Sequence, residues 1–369
     1  MKKFLLLLAA FLLPAALVYG LFAAALVFTR ELAPVDEVVE ATVAGEMTLY
    51  GTSHNENIGA YKFRTMSALG ADFLVMGTSR SMQLRGEFFT RESFYNAGGV
   101  VRNMADFTDL LSRLPEDALP DTLLVVLDQN MFNTDWRASS PGGPQGFEDL
   151  ETDFLDTLLR TAQDYASGKF SLFDVLRPKA GVYGLAAAAR GTGFALDGSY
   201  RYGILTEQNL DAPEKNFSDT YRQIDFGQER FAYGDTPDPL ALAQLEEFLA
   251  LCREKGTRVV GFLPPLPPSV NARMASSGRY GYLDTLYEEI AARFAAAGGE
   301  FYDFTAIESE DVEYIDGFHG GDRVYARIAL ALDEESEILA GEIDRAAIEQ
   351  LLADPDGNPR ALPDSRTGR

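Results

Sequence analysis

The stretch "DFLVMGTSRS", Asp72 to Ser81, decides the fold class that the sequence predicts. Its first half is a compact apolar run ending in glycine, which is typical of a strand buried on both faces of a parallel sheet. Its second half is a polar turn that places the hydroxyl group of Ser79 directly after the strand. Ligands of open α/β sheets gather at the carboxyl edge of the strands, so this turn is the first candidate for a functional site.

Further apolar runs of the same kind alternate with segments of helical spacing. Strands are predicted in "ESFYNAGG", "TLLVVLDQN", "TRVVGFLPP" and "EFYDF". Helices are predicted in "NMADFTDLLSRLP", "DPLALAQLEEFLALCREKG", "YGYLDTLYEEIAARFAAAGG" and "RVYARIALAL". Because strands and helices alternate, we expect an α/β fold, a three-layer α/β/α sandwich around a mostly parallel sheet.

This alternation is interrupted by an insertion of roughly 100 residues, a length at which loops usually carry substrate or partner contacts. The predicted organisation is a cytoplasmic start and transmembrane anchor over 1–30, a juxtamembrane spacer over 31–70, an α/β domain over 71–335 with the insertion at about 131–237, and a C-terminal helix with a disordered tail over 336–369.

The N-terminal segment predicts export. Phe4 to Phe28 carries no charge over 25 residues, enough for a helix to cross the hydrocarbon core of a bilayer. Lys2 and Lys3 precede this span and acidic residues follow it, so the positive-inside rule places the large domain outside the cell. We expect a retained single-pass signal anchor in the cell membrane, and the alternative is a signal peptide cleaved after Ala23 to Ala25.

The composition excludes several classes of function. With 32 Lys and Arg against 56 Asp and Glu, the formal net charge is −24, which disfavours nucleic acid as a partner. The single cysteine, Cys252, excludes an intrachain disulfide and a cysteine-rich zinc site, and its place in a helix predicts a buried side chain. No metal ion or organic cofactor is expected.

Four side chains at the predicted strand ends form a candidate catalytic set. Ser79 follows the first core strand, Asn130 follows "TLLVVLD", and the loop "YIDGFHGG" supplies Asp316 and His319. A serine hydroxyl group needs an adjacent base to become a nucleophile, and the base needs a carboxylate to orient it. The amide of Asn130 is a candidate donor for the oxyanion that forms during acyl transfer.

These residues resemble two motifs of the SGNH (GDSL-like) hydrolases. The first motif of that family, Gly-Asp-Ser-x-Ser, is similar to Gly77 to Ser81, and its last motif, Asp-x-x-His before a helix, is similar to Asp316 to His319. The resemblance implies an SGNH or flavodoxin-like sandwich in which Ser79 is the nucleophile, His319 the base and Asp316 its orienting group.

The two middle motifs of the family are less complete. Only Asn130 remains of the third, and the second is represented by Gly98 or Gly99, which the resemblance implies as an oxyanion donor beside Ser79 and Asn130. Thr78 replaces the usual aspartate of the first motif, and in the third motif Asp128 replaces a glycine and Met131 an aspartate.

The membrane anchor and these departures resemble the DltD-like and alginate-acetylation-like members more than the free secreted esterases. That resemblance implies an extracytoplasmic esterase or O-acyltransferase that acts on an ester of a cell-envelope polysaccharide or polymer, with a membrane-bound O-acyltransferase as a possible partner. The alternatives are a non-catalytic accessory protein of a polymer-modifying complex and a scaffold whose insertion binds a membrane partner. Hydrolysis and transfer stay open, since one acyl-enzyme serves both.

Three other features receive structural interpretations. His54 is interpreted as an exposed linker residue, and Asp303 as a carboxylate at the sheet edge. The proline-rich "FLPPLPPS" is interpreted as a rigid loop that shapes the cleft.

Overall fold

The computed structural model describes residues 1–55, 57–140, 147, 152–353 and 357–363. Its helices, in chain order, are α1 Lys2–Phe28, α2 Val35–Val43, α3 Ile58–Leu69, α4 Met104–Arg113, α5 Thr134–Ser139, α6 Phe154–Ala166, α7 Leu172–Val175, α8 Leu185–Arg190, α9 Glu214–Phe226, α10 Pro239–Lys255, α11 Pro268–Ser277, α12 Leu286–Ala297, α13 Asp322–Glu335 and α14 Arg345–Leu352. Its strands are β1 Leu49–Tyr50, β2 Phe73–Gly77, β3 Phe94–Asn96, β4 Thr122–Val126, β5 Val182–Tyr183, β6 Gly193–Phe194, β7 Tyr200–Arg201, β8 Arg258–Leu263 and β9 Glu300–Asp303.

The chain divides into two units, and the predicted insertion contributes to both of them. The first unit contains 1–61, 147–196 and 201–204, and the second contains 62–146, 197–200 and 205–369. This division differs from the predicted order of domains, because part of the insertion folds together with the N-terminal residues.

The second unit contains a five-stranded parallel sheet with the strand order β3-β2-β4-β8-β9. The α/β fold with a mostly parallel sheet is therefore confirmed. Every residue of β2 and β4 is buried, as expected for continuous apolar runs in the interior of such a sheet. Gly77 at the end of β2 lies opposite Val126 at the end of β4, so the polar turns that follow these strands begin at the same edge.

Helices α4, α10 and α12 supply apolar contacts to the second unit. Phe107 of α4 and Phe248 of α10 have ring centroids 5.3 Å apart, and both side chains are buried. Cys252 of α10 is buried as predicted, and burial raises the pKa of its thiol to about 12. Its thiol therefore stays protonated at physiological pH, which suits an apolar packing role.

The first unit is built around the C-terminal turns of α1. Phe22 and Leu26 pack against Leu158 of α6, while Ala25 packs with Val175 and Leu185. Within the described residues, α1 is the one helix long and apolar enough to cross a membrane. Strands β5, β1, β6 and β7 form a small mixed sheet, in which β1 is parallel to β5 and antiparallel to β6.

The segment that was expected to be an irregular spacer is folded. Helix α2 begins with acidic residues in its first turn, where the helix dipole favours them, and it buries Val35, Val38 and Val39. The acidic composition that suggested a spacer thus belongs to a helix start. Glu31 is fully buried and accepts backbone hydrogen bonds from Ser53, His54 and Leu185, and burial raises the pKa of its carboxyl group.

His54 is also not the exposed linker residue that was expected. Its side chain is 8% exposed, and its Nε2 lies 3.5 Å from a carboxylate oxygen of Asp164 within the first unit. Burial lowers the pKa of His54.

The C-terminal helix is present as α14, but the described part of the tail, residues 357–363, is not disordered. Arg360 is fully buried, and its Nε donates to the carbonyl of Val312 at 3.0 Å. The Leu362 N–H donates to Asp322 at 3.1 Å. Charge and proline content suggested disorder, but these contacts attach the segment to the second unit. Residues 354–356 and 364–369 lie outside the described residues.

A fully buried lysine lies behind the sheet edge of the second unit. The ammonium group of Lys62 donates to the carbonyls of Asn96, at 2.6 Å, and of Gly198, and lies 5.2 Å from the ring centroid of Tyr95. Burial lowers the pKa of Lys62 to about 7, although the carboxylate of Asp197 acts in the opposite direction.

This lowered pKa predicts a stability that rises with pH. An unfolded lysine titrates near ~10.4, so above about pH 7 the unfolded chain binds more protons than the folded one. We expect the free energy of unfolding of the wild type to rise relative to Lys62→Met by about 1 kcal/mol per pH unit up to roughly pH 9, with parallel curves below about pH 7. Denaturant titrations followed by the fluorescence of the single tryptophan measure this. Lys255→Met, at an exposed lysine of α10, is the control, and a constant wild-type-to-Met difference above pH 7 contradicts the account.

Candidate active site

The turn after β2 carries Ser79. Thr78 caps a short 3₁₀ turn over Ser79–Gln83, and its Oγ1 accepts a hydrogen bond from the Arg80 N–H at 3.1 Å. A side chain at Gly77 is excluded, since its Cβ would lie 2.8 Å from the Cβ of Ser81. The turn therefore packs closely against the glycine, and it places the half-buried Ser79 at the sheet edge.

Ser79, His319 and Asp316 lie in one hydrogen-bonded row. The Oγ of Ser79 is 2.7 Å from Nε2 of His319, and Nδ1 of His319 is 2.8 Å and 3.0 Å from the two carboxylate oxygens of Asp316. The loop before α13 is closed on itself, because the Ile315 N–H donates to the carbonyl of His319 at 2.9 Å. The structure thus brings together the three residues that the sequence predicted as nucleophile, base and orienting group.

The protonation of this row follows from the Asp316 carboxylate. Partial burial disfavours its ionised form, but the charge and hydrogen bond of His319 and the backbone N–H groups of Phe318 and His319 outweigh burial and hold the pKa of Asp316 at about 2. A carboxylate accepts hydrogen bonds and donates none, so Nδ1 of a neutral His319 carries the proton. Its Nε2 is then free to accept the proton of Ser79.

Two of the predicted oxyanion donors are available. The backbone N–H of Ser79 and the side-chain amide of Asn130 make no hydrogen bond within the described part of the chain. Both residues line one cavity of about 370 Å³, and Asn130 reaches it from the 3₁₀ turn Gln129–Phe132 after β4. The cavity is also lined by Thr78, Gly99, Val101, Arg102, Asp128, Trp136, Ser140, Arg230 and Phe318.

The glycine N–H groups that the second motif was expected to offer to an oxyanion donate to other acceptors of the chain. The Gly99 N–H donates to the carbonyls of Gly77 and Thr78 at 2.9 Å and 3.1 Å, and the Gly98 N–H donates to Oδ1 of Asn96 at 2.7 Å. Gly99 instead allows the chain to approach the nucleophile turn at φ +94°, where a Cβ would lie 2.2 Å from the methyl group of Met82. In this structure Gly99 is a wall residue and not an oxyanion donor.

Asn96 is a residue of the site that sequence reasoning missed. Its Nδ2 donates to the carbonyls of Ser81 and Leu84 at 2.9 Å and 2.8 Å, while its Oδ1 accepts from Gly98. One buried side chain thereby joins the nucleophile turn to the glycine loop. The signal in the sequence was a polar residue that ends the apolar strand in "FYNAGG".

Two of the three departures from the motifs, Thr78 and Asp128, contact each other. The hydroxyl group of Thr78 donates to one carboxylate oxygen of Asp128 at 2.6 Å, and Nη1 of Arg80 lies 3.3 Å from the other. Arg80, which is 1% exposed, also donates to Oε1 of Gln129 at 2.8 Å and to the carbonyl of Pro265. Thr78, Arg80 and Asp128, named here the Asp128 cluster, tie the turn after β2 to the turn after β4.

The remaining predicted features do not line the cavity. Asp303 accepts hydrogen bonds from the N–H and hydroxyl groups of Thr305 at the end of β9, and it does not line the cavity. The proline-rich loop supplies the carbonyls of Pro264 and Pro265 to Gln129 and Arg80. No group of three or more His, Cys, Asp or Glu side chains able to hold a metal ion occurs among the described residues.

Comparison of the chain with protein-family models and with curated proteins finds no match in either case. The resemblance to the SGNH hydrolases therefore depends on the motifs and on the geometry of the residues that carry them.

The contacts of the Asp128 cluster predict that the loss of its carboxylate strongly destabilises the fold. We expect Asp128→Asn to lower the free energy of unfolding by about 3 kcal/mol, because it leaves the buried charge of Arg80 without an ionic partner. Chemical denaturation of the full chain measures this. The control is Asp121→Asn, whose carboxyl group is 74% exposed and 4.0 Å from Arg91, with an expected change of about 0.5 kcal/mol or less. Equal effects of the two substitutions would contradict the assigned role of the cluster.

Proposed function

We propose that the second unit is an SGNH-type serine esterase or O-acyltransferase with a three-layer α/β/α architecture. The observation that carries the proposal is the continuous row from Ser79, which lines an accessible cavity, through His319 to Asp316. A serine that only stabilised the turn would not need a histidine nitrogen 2.7 Å from its hydroxyl group. Ser79 has such a neighbour, and it lies at the carboxyl edge of a parallel sheet, where ligands bind.

In the acylation step, Oγ of Ser79 attacks the ester carbonyl carbon as Nε2 of His319 takes its proton. The carbonyl oxygen becomes an oxyanion, which the Ser79 N–H and the Asn130 amide stabilise. Asp316 stays ionised and stabilises the imidazolium ion that forms. When the intermediate collapses, the alcohol leaves with the proton from His319, and the acyl group remains on Ser79.

In the second step, His319 takes a proton from water or from an acceptor hydroxyl group, which attacks the acyl-serine. Collapse of the second tetrahedral intermediate returns the proton to Ser79 Oγ. Water as the acceptor gives hydrolysis, and a sugar hydroxyl group gives acyl transfer. Neither route requires a metal ion or a redox cofactor.

For the location of the enzyme, we infer that α1 is a retained anchor with its N-terminus in the cytoplasm and the catalytic unit outside. A 27-residue helix is about 40 Å long, more than the hydrocarbon core requires. Its last turns are therefore available to pack in the first unit, where Phe22, Ala25 and Leu26 are buried. Cleavage after Ala23 to Ala25 would remove part of this packing. The two lysines before the span support the orientation.

For the substrate, we propose an acylated polysaccharide or polymer of the cell envelope, which an anchored exported enzyme meets at the membrane surface. A cavity of about 370 Å³ lies within the usual range of small-ligand sites and suits an acyl group with part of its carrier. A membrane-bound O-acyltransferase is the partner that transfer would need as a source of acyl groups.

A membrane-impermeant fluorophosphonate tests both the nucleophile and the orientation. We expect it to label the wild type in intact cells, because Ser79 is activated by His319 and faces the cell exterior. Ser79→Ala should abolish the labelling and His319→Ala should reduce its rate by about two orders of magnitude or more. In-gel detection of the probe is the measurement.

The matched control is Ser112→Ala, which removes an exposed serine hydroxyl group that contacts only the carbonyl of Asp109. It should be labelled like the wild type. Continued labelling of Ser79→Ala would overturn the nucleophile, and labelling only after cell lysis would overturn the orientation.

A further inference from the structure

Two arginines in the wall of the Ser79 cavity have no acidic partner. Among the described residues, no carboxylate oxygen forms an ion pair within 4.0 Å of the guanidinium group of Arg102 or Arg230, although both residues line the cavity, and Asp106 accepts only the backbone N–H of Arg102. Asp128, the acidic residue that lines the same cavity, forms its ion pair with Arg80. The wall of the cavity that Ser79 lines therefore carries two guanidinium groups without a direct ionic partner.

Arg230 is held against the ring of Phe318 by a turn with an unusual backbone conformation. Its guanidinium carbon lies 4.4 Å from the ring centroid of Phe318, and that of Arg80 lies 4.6 Å from the same centroid. The residue before it, Glu229, adopts φ +51°, a left-handed conformation that side chains other than glycine rarely take. This strained turn, Glu229–Phe231, keeps Arg230 beside the residue that precedes His319.

The charge of Arg230 attracts the carboxylate of Asp219, but the ion pair of that carboxylate is with Arg222. The carboxylate of Asp219 is bound by Arg222 at 2.6 Å and by Nε2 of Gln223 at 2.9 Å. The Nε of Arg230 is buried and has no hydrogen-bond acceptor in the described part of the structure. An arginine held on an aromatic ring, with unused donors, is a ready site for a planar anion.

Because the chain as a whole is strongly acidic, arginines without an ionic partner are unexpected in it. With 56 acidic against 32 basic side chains, an arginine has many possible partners, and most of the surface repels anions. Two unpaired arginines in the wall of one cavity therefore attract an anion to the place where the acyl group is transferred. Guanidinium groups bind carboxylate and phosphate through charge-assisted hydrogen bonds.

We propose that Arg102 and Arg230 form an anion-binding subsite of the Ser79 cavity. The substrate is then an ester that carries a carboxylate or a phosphate near the esterified hydroxyl group. The substrate class rests on the proposed function of Ser79, whereas anion binding itself does not.

Trp136 supplies a direct test. It is the only tryptophan of the chain and it lines this cavity, so its fluorescence reports binding there. Glucuronate and glycerol 3-phosphate are titrated into the full chain in detergent, with glucose and glycerol as neutral counterparts. We expect the anions to bind more tightly, and Arg102→Gln and Arg230→Gln each to raise their dissociation constants on the order of tenfold. The two anions decide between a carboxylate and a phosphate as the preferred group.

The matched control is Arg279→Gln, because Arg279 also lies over an aromatic ring, 4.8 Å from the centroid of Tyr233, but outside the cavity. It should bind both anions like the wild type, and Arg230→Lys should retain part of the affinity. The proposal fails if neither anion binds more tightly than its neutral counterpart, or if Arg279→Gln weakens binding as much as Arg230→Gln. Anion binding by Ser79→Ala, combined with an unlabelled wild type, would leave the subsite intact and overturn only the proposed catalytic function.

Discussion

The buried carboxylate of Asp128 is the interaction on which the candidate site depends. One of its oxygens accepts from Thr78 in the turn that carries Ser79, and the other is paired with Arg80. Arg80 in turn reaches Gln129 beside Asn130 and stacks on Phe318 beside His319. One ionic contact thus connects the segments that supply the candidate nucleophile, the candidate oxyanion donor and the candidate base. Its strength comes from burial, because an unpaired charge at this depth would be strongly destabilising.

The parts of the site that are local in sequence were predictable. Ser79 follows an apolar run that ends in glycine, and Asp316 lies three residues before His319 in a loop that leads into a helix. The parallel sheet followed from the alternation of strands and helices. In each case the pattern needed only the period of the elements and the fact that parallel strands end at the same edge.

The parts that depend on distant partners were not predictable. Thr78 and Asp128 looked like separate departures from two motifs, and the hydrogen bond that joins them spans 50 positions of the chain. The Gly99 amide looked free because a sequence does not reveal that carbonyls of the nucleophile turn accept from it. The acidic residues Asp36 and Glu37 suggested a spacer, although they lie in the first turn of α2, a helix whose valines are buried.

The central claim is that Ser79 carries the acyl group during turnover. The most direct measurement mixes the purified full chain with p-nitrophenyl acetate, quenches the mixture in acid during the burst and locates the acetyl group by peptide mass spectrometry. The account predicts an acetyl ester on Ser79 that does not accumulate in Ser79→Ala. Acetylation of a different side chain at the rate of p-nitrophenol release, with Ser79 unmodified, would contradict it.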